Sequence, residues 1–232
     1  MIMKASIGAA SGVQGHLAGY GSKAYRNYVL LALTLIYILN FVDRALLAVV
    51  GPDLVPDLGI TDTQFGLLTG FGFALLYTAV GIPLARFADV GHRVWIMTVC
   101  VALWSLMTAA CGLATEVTIG SLTIGAFWIL LICRVGVGIG EAGCTPPANS
   151  LIADYFIPRE RSQALGFYAM GVTLGTMVAN LVGGWVTDMF DWRTAFFVVG
   201  LPGLLVALVF KLTVKEPPRG YTDPPETEKK ER

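Results

Sequence analysis

The chain has 232 residues; 55% are hydrophobic, only 14% are charged, and the formal net charge is zero. A soluble domain carries about 25% charged residues, so an ordinary water-soluble globule is excluded. A neutral chain also offers no electrostatic case for nucleic acid or another polyanion.

Residues 1–27 are mixed in character, lack the pattern of a cleavable signal peptide, and read as a cytoplasmic N-terminal segment. Six apolar runs follow, at about 28–50, 65–84, 94–113, 124–143, 164–182 and 195–212. Each is long enough to cross a bilayer, since roughly 20 helical residues span the hydrocarbon. They are continuous and do not alternate over ten residues, which points to a helical bundle over 28–212 and away from a membrane barrel. After Leu212 the chain turns to KEPPRGYTDPPETEKKER. That composition cannot bury a core, so 213–232 is expected to be a disordered cytoplasmic linker or tail with something following it.

The positive-inside rule sets the orientation. With a cytoplasmic amino terminus, 13 of the 16 Lys and Arg fall on the cytoplasmic side, and Arg193 alone faces the acids of the other side. Both termini are then cytoplasmic. Arg44 and Arg134 are left inside spans, in the first and fourth. Asn40 and Asp43 share the first span, YVLLALTLIYILNFVDRALLAVV, and Glu141 shares the fourth. Tyr37, Asn40 and Arg44 lie on one helical face, with Asp43 beside it. Arg134 and Glu141 are seven residues apart, about 10 Å along the axis and nearly on one face.

Each ionised group at a helix centre costs about 2.5–3.5 kcal/mol on insertion scales. Charges kept there face a bundle interior, pair, and mark ion or substrate paths. Asp43 and Glu141 are therefore the candidate proton-coupling groups. Arg44, Arg134, Asn40 and Tyr37 are the candidates for holding an anionic substrate. The bland reading, Asp43–Arg44 and Arg134–Glu141 as neutralising pairs that fix packing, is weaker, because adjacent helical residues point about 100° apart. Gly136 and Gly140 form a GxxxG step in the fourth span, repeated by Gly171 and Gly175 in the fifth; such steps let helices approach closely. Pro146 and Pro147 should kink or end the fourth helix. Cys100, Cys111, Cys133 and Cys144 show no metal spacing and read as small buried hydrophobes.

Acids recur at matching places in the two halves: Asp43 and Glu141 are 98 residues apart, and Asp89 and Asp188 are 99 apart. With three spans per copy, the second copy is upside down relative to the first. Inverted repeats of this kind belong to transporters, with the site near the midplane.

GIPLARFADVGHR, between the second and third spans, resembles the cytoplasmic loop motif of the major facilitator superfamily, with Val90 replacing a usual basic residue. RVGVGIGEAG resembles that family's fourth-helix motif. NFVDR, the GEAG stretch and WRTAFFVVGLPGLL together are similar to the spinster-like branch. The resemblance implies an all-α membrane protein, six transmembrane helices forming one major facilitator half-bundle of inverted three-helix repeats. It also implies alternating access, with Asp89, Arg93 and Asp154 at a cytoplasmic gate. The branch implies a lipid-like or amphipathic anion moved with protons, and a second six-helix half, either a missing C-terminal half or a partner chain. A drug-antiporter motif in the fifth span is half present, with Thr176 where Pro is expected.

The expected function is thus secondary active transport in a bacterial inner membrane, with the bilayer, protons and a small molecule as partners. An organic anion symporter of the same superfamily is the alternative, and a non-transporting scaffold or partner half-bundle is a second one. No HExxH, GxSxG or phosphate loop occurs, so an enzyme, a metal or a cofactor is not implied.

Overall fold

The computed structural model describes residues 18–70, 78–83, 91–119 and 122–223. The first helix, α1 (Lys23–Leu58), has Ser22 as N-cap, its hydroxyl accepting from the Tyr25 N–H at 3.2 Å, and ends at Gly59 with φ 61°. Glycine adopts that left-handed conformation without a Cβ penalty. At 36 residues α1 is about 54 Å long, well beyond a hydrocarbon core of about 30 Å. The helix therefore outruns the apolar stretch 28–50 that marks it in the sequence.

Helix α2 (Asp62–Thr69) opens with a capping box between Thr61 and Gln64. Residues 78–83 are helical, but the rest of the second expected span, 71–77 and 84, lies outside the described residues. Helix α3 (Arg93–Cys111) is followed by a short antiparallel hairpin, β1 (Val117–Ile119) and β2 (Leu122–Ile124), which pairs Thr118 with Thr123. The fourth span is α4 (Ala126–Ala142) and α5 (Thr145–Tyr155), broken between them where Pro146 and Pro147 occupy the first turn of α5. Then come α6 (Pro158–Val178), a π turn at Ala179–Gly183, α7 (Gly184–Met189) and α8 (Trp192–Thr213). Among the described residues, five helical stretches are long and apolar enough to cross a membrane.

Two contacts fix the ends. Tyr25 Oη donates to the Thr213 carbonyl at 2.8 Å, so α1 starts where α8 stops. Arg193 Nη1 lies 2.6 Å from Asp57 Oδ2, so α8 starts where α1 stops. Helices α1 and α3 both begin at the first, basic end, where Arg93 meets Glu216 just beyond α8. The chain must therefore return from the far end between Leu58 and Arg93.

Helices α1, α3, α4, α5 and α8 hold most of the core, which has two apolar parts. Leu33, Ile36, Met97, Trp104, Val137, Ile152 and Phe210 fill the basic half. Leu46, Leu47, Leu54, Leu130, Phe196 and Val199 fill the other. The small residues decide which helices touch. A Cβ on Gly140 would stand 2.7 Å from the Cys100 carbonyl of α3, and one on Gly136 2.6 Å from Met107. Gly171 and Gly175 press likewise on Tyr37, Ile38 and Phe41 of α1.

Along α6 the buried row runs Gly171, Gly175, Ala179, Gly183, always in steps of four. On a regular helix each such step drifts about 40°. The wider π turn absorbs the drift, keeping Ala179 and Gly183 against α1, where a Cβ on Gly183 would meet Leu46 at 2.8 Å.

Candidate functional site: a buried ionic layer and a buried arginine cluster

A polar layer separates the two apolar parts of the core. Asn40 and Asp43 from α1, Ser105 and Thr108 from α3, and Arg134 and Glu141 from α4 are all buried. The charges pair across helices and not along them. Arg134 Nη1 donates to Asp43 Oδ2 at 2.9 Å, and Thr108 Oγ1 donates to Asp43 Oδ1. Arg44 Nε donates to Glu141 Oε2 at 2.6 Å. Each of α1 and α4 thus contributes one acid and one base, and each base serves the acid of the other helix. The weaker reading from the sequence had Asp43–Arg44 and Arg134–Glu141 as pairs along each helix; the hydrogen-bonded ion pairs run between α1 and α4.

The two pairs differ in access. Asp43 and Arg134 are 1% and 4% exposed at the side chain, a dry pair. Glu141 is fully buried, but the Arg44 side chain is 29% exposed and its guanidinium lies 5.2 Å from the centre of the Phe41 ring. Glu141 Oε1 makes no hydrogen bond among the described residues. A buried carboxylate oxygen in that condition costs on the order of 1–3 kcal/mol, so a proton or a ligand donor there would be stabilising. Tyr37 lies on an aromatic cluster next to Arg44. Its ring stacks on Tyr168 of α6 with centroids 4.3 Å apart, and meets Phe41 edge-on at 5.1 Å.

At the basic end Arg93 is completely buried. Its guanidinium donates to Asp154, to Ser150 Oγ at 2.8 Å, to Glu216 Oε1 at 2.5 Å and to the Pro217 carbonyl at 2.8 Å. Glu216 Oε2 also accepts the Val94 N–H at 2.9 Å, and Asp154 Oδ1 accepts the Gly220 N–H at 2.8 Å. Arg219 reaches back to the Gly91 carbonyl at 2.6 Å, and Thr222 Oγ1, itself buried, donates to the Ala153 carbonyl at 2.6 Å.

The stretch 214–223 is therefore laid over the joint between α3 and α5. Composition had assigned it to a disordered tail, because proline and charge read as solvated linker. Here the strap is held by Arg93, Asp154, Arg161 and nearby backbone. Glu216 is the member that sequence reasoning missed. Its signal was an acid placed just past an apolar helix, at the end that holds a buried arginine. Asp89 lies outside the described residues.

The model of the Major Facilitator Superfamily matches residues 33–232. The chain belongs to the Major Facilitator Superfamily. Within it the similarity runs to the spinster-like branch. A structure described as a bacterial homolog to the human lysosomal transporter Spinster, inward-facing and unoccupied, superposes with a TM-score of 0.79 at 47% identity, over 88% of this chain and 46% of that one. The human "Protein spinster homolog 1" is 33% identical over 84% of this chain and 35% of its own length. An "MFS-type efflux pump" of Mycolicibacterium smegmatis is 35% identical over 78% of this chain and 40% of its own length. The chain spans less than half the length of these relatives. Its fold is the all-α half-bundle of this superfamily, and it is an integral membrane protein.

Proposed function

We propose that this half-bundle works in secondary active transport by alternating access, moving an amphipathic anion together with protons. The observation that supports this best is the pair of crossed ion pairs. Each links α1 to α4, and together they give each helix one acid and one base, so that neither helix carries net charge from the two pairs. If an anionic group bound the exposed Arg44 guanidinium, Glu141 would lose its partner and favour its protonated form; release of the anion would reverse this. Arg44 is thus the proposed substrate anchor, with Asn40 and the Tyr37–Phe41 wall beside it. Glu141 is the proposed proton carrier, and Asp43 and Arg134 form the dry hinge pair.

Arg93, Asp154 and Glu216 act as the latch of the basic end in this reading. That end carries most of the lysines and arginines and is cytoplasmic by the positive-inside rule. A second six-helix unit completes the cavity wall, as the length of the relatives suggests.

The test is uptake into proteoliposomes holding the chain in its complete assembly, with an imposed pH gradient and labelled lysophospholipid. Glu141→Gln should abolish dependence on the gradient, while counterflow of substrate persists. Full gradient dependence in both Glu141→Gln and Asp43→Asn would reject proton coupling through these acids. A small organic anion is the second reading, favoured by the partly exposed Arg44 guanidinium in the ionic layer. It predicts that a dicarboxylate outcompetes the lysolipid.

A further inference from the structure

A cleft of about 240 Å³ opens at the basic end between the first turns of α1 and α6. It lies far from the ionic layer: Arg26 and Asp43 are 17 positions apart on α1, or about 25 Å. Its lining combines polar side chains, Lys23, Arg26, Asn27, Glu160 and Gln163, with apolar ones, Leu30, Phe156, Ala164 and Phe167. A phospholipid offers the same two kinds of surface, a charged headgroup and an acyl chain.

Three observations point to an anion in this cleft. First, Arg26 is more than nine-tenths buried, yet its Nε makes no hydrogen bond among the described residues. Its Nη1 is held by the carbonyls of Ala18 and Gly21, which fixes the guanidinium at the cleft. Gly19, with φ 75°, passes so close that a Cβ would touch this guanidinium, so the 18–21 turn is shaped around it. Second, the neighbouring acid pairs with it only loosely: Glu160 Oε2 is 3.8 Å from Arg26 Nη2, an ion pair without a hydrogen bond. Third, α1 starts with Lys23 and Arg26 and has no acid in its first turn. Cations at the positive end of a helix dipole are placed against the field, whereas an anion between them would be stabilised by both cations and by the helix end. Helix α6, beginning beside it, carries the ordinary arrangement, with Glu160 in its first turn.

We propose that the α1–α6 cleft binds the phosphate-ester headgroup of a membrane lipid. Lys23 and Arg26 take the phosphate oxygens, Asn27 and Gln163 donate to the remaining headgroup oxygens, and Leu30 and Phe167 receive the first carbons of an acyl chain. Basic pockets between transmembrane helices at a cytoplasmic surface bind anionic headgroups in this way. The site is distinct from the transport pathway proposed above and stands whether or not that pathway carries protons.

The experiment titrates the delipidated chain with phosphatidylglycerol and counts retained lipid by native mass spectrometry. A parallel arm titrates inorganic phosphate by calorimetry. One tightly held phosphatidylglycerol per chain is expected, with phosphatidylcholine retained more weakly. Each basic residue near a membrane surface contributes enough to change binding about fivefold, so Lys23→Gln should weaken retention by about that factor. Arg26→Lys should largely keep it. Lys211→Gln, a cation at the same end on α8, should leave it unchanged. Equal loss in Lys23→Gln and Lys211→Gln would show diffuse surface charge and overturn the site. Binding of neither probe would overturn it too. Binding of inorganic phosphate alone, dependent on Lys23, would overturn the lipid assignment in favour of a free anion.

Discussion

Replacing Asp43 by Asn leaves Arg134 buried, 4% exposed at the side chain, without its counter-charge. Breaking a buried ion pair by removing one partner costs about 3–5 kcal/mol. Of the two ways to break it, losing the acid is the worse. A lone carboxyl can shed its charge by taking a proton, whereas a guanidinium remains protonated. Asp43→Asn should therefore fall at the top of the range and Arg134→Gln near the bottom. In a chain of this size about 1 kcal/mol shifts Tm by roughly 2–4 °C, so the two variants should melt about 6–20 °C below the parent in detergent. The double variant should recover part of the loss. A coupling well above about 1.7 kcal/mol, the upper value for hydrogen bonds between membrane helices, would mark an ion pair. Scanning fluorimetry of the four proteins measures it. If the double loss equals the sum of the singles to within about 0.5 kcal/mol, the pair is not coupled and the reasoning about the ionic layer fails.

Glu216→Ala removes two hydrogen bonds, from Arg93 and from the Val94 N–H, each worth about 1.5–3 kcal/mol when a charged group is involved. Trypsin should then cut at Arg219 much faster than in the parent, and an unchanged cleavage rate would contradict the strap. Gly175→Ala places a Cβ 2.7 Å from the Phe41 Cβ and should destabilise by about 1–3 kcal/mol, whereas Gly166→Ala, with nothing within 4 Å, should be neutral or mildly stabilising. Asp191 caps α8 by accepting the Thr194 N–H at 2.6 Å, a bond that holds its carboxyl below the ordinary value of 3.8. A lowered acid contributes stability above its unfolded value and loses it as pH falls through the folded one. Asp191→Ala should therefore cost about 1 kcal/mol at neutral pH and almost nothing once the pH is well below 3.8.

The helices were legible because bilayer-length apolar runs leave little choice of conformation. So were the charged residues of the ionic layer, since charge inside such a run is costly enough to be informative by itself; Ser105 and Thr108 carry no such signal. Their partners were not. Helical spacing shows which residues share a face, but the choice of Asp43 for Arg134 depends on how α1 and α4 lie against each other. The strap at 214–223 was misread for a related reason. Composition reports whether a segment can bury apolar surface, and this one is held by hydrogen bonds to a buried arginine 123 positions away in the chain. The hairpin at 117–124 was equally hidden, its six strand residues being too few to register as a pattern.

The widened turn at Ala179–Gly183 changes how positions are compared between this protein and its kin. Such turns behave as if a single extra residue had been let into a regular helix. Any relative lacking that residue would present the same face to α1 with its numbering offset by one from here onward. Matching side chains by counting through the segment would then assign Trp185 or Asp188 to the wrong neighbours, and superposed backbones are the safer ruler on its far side.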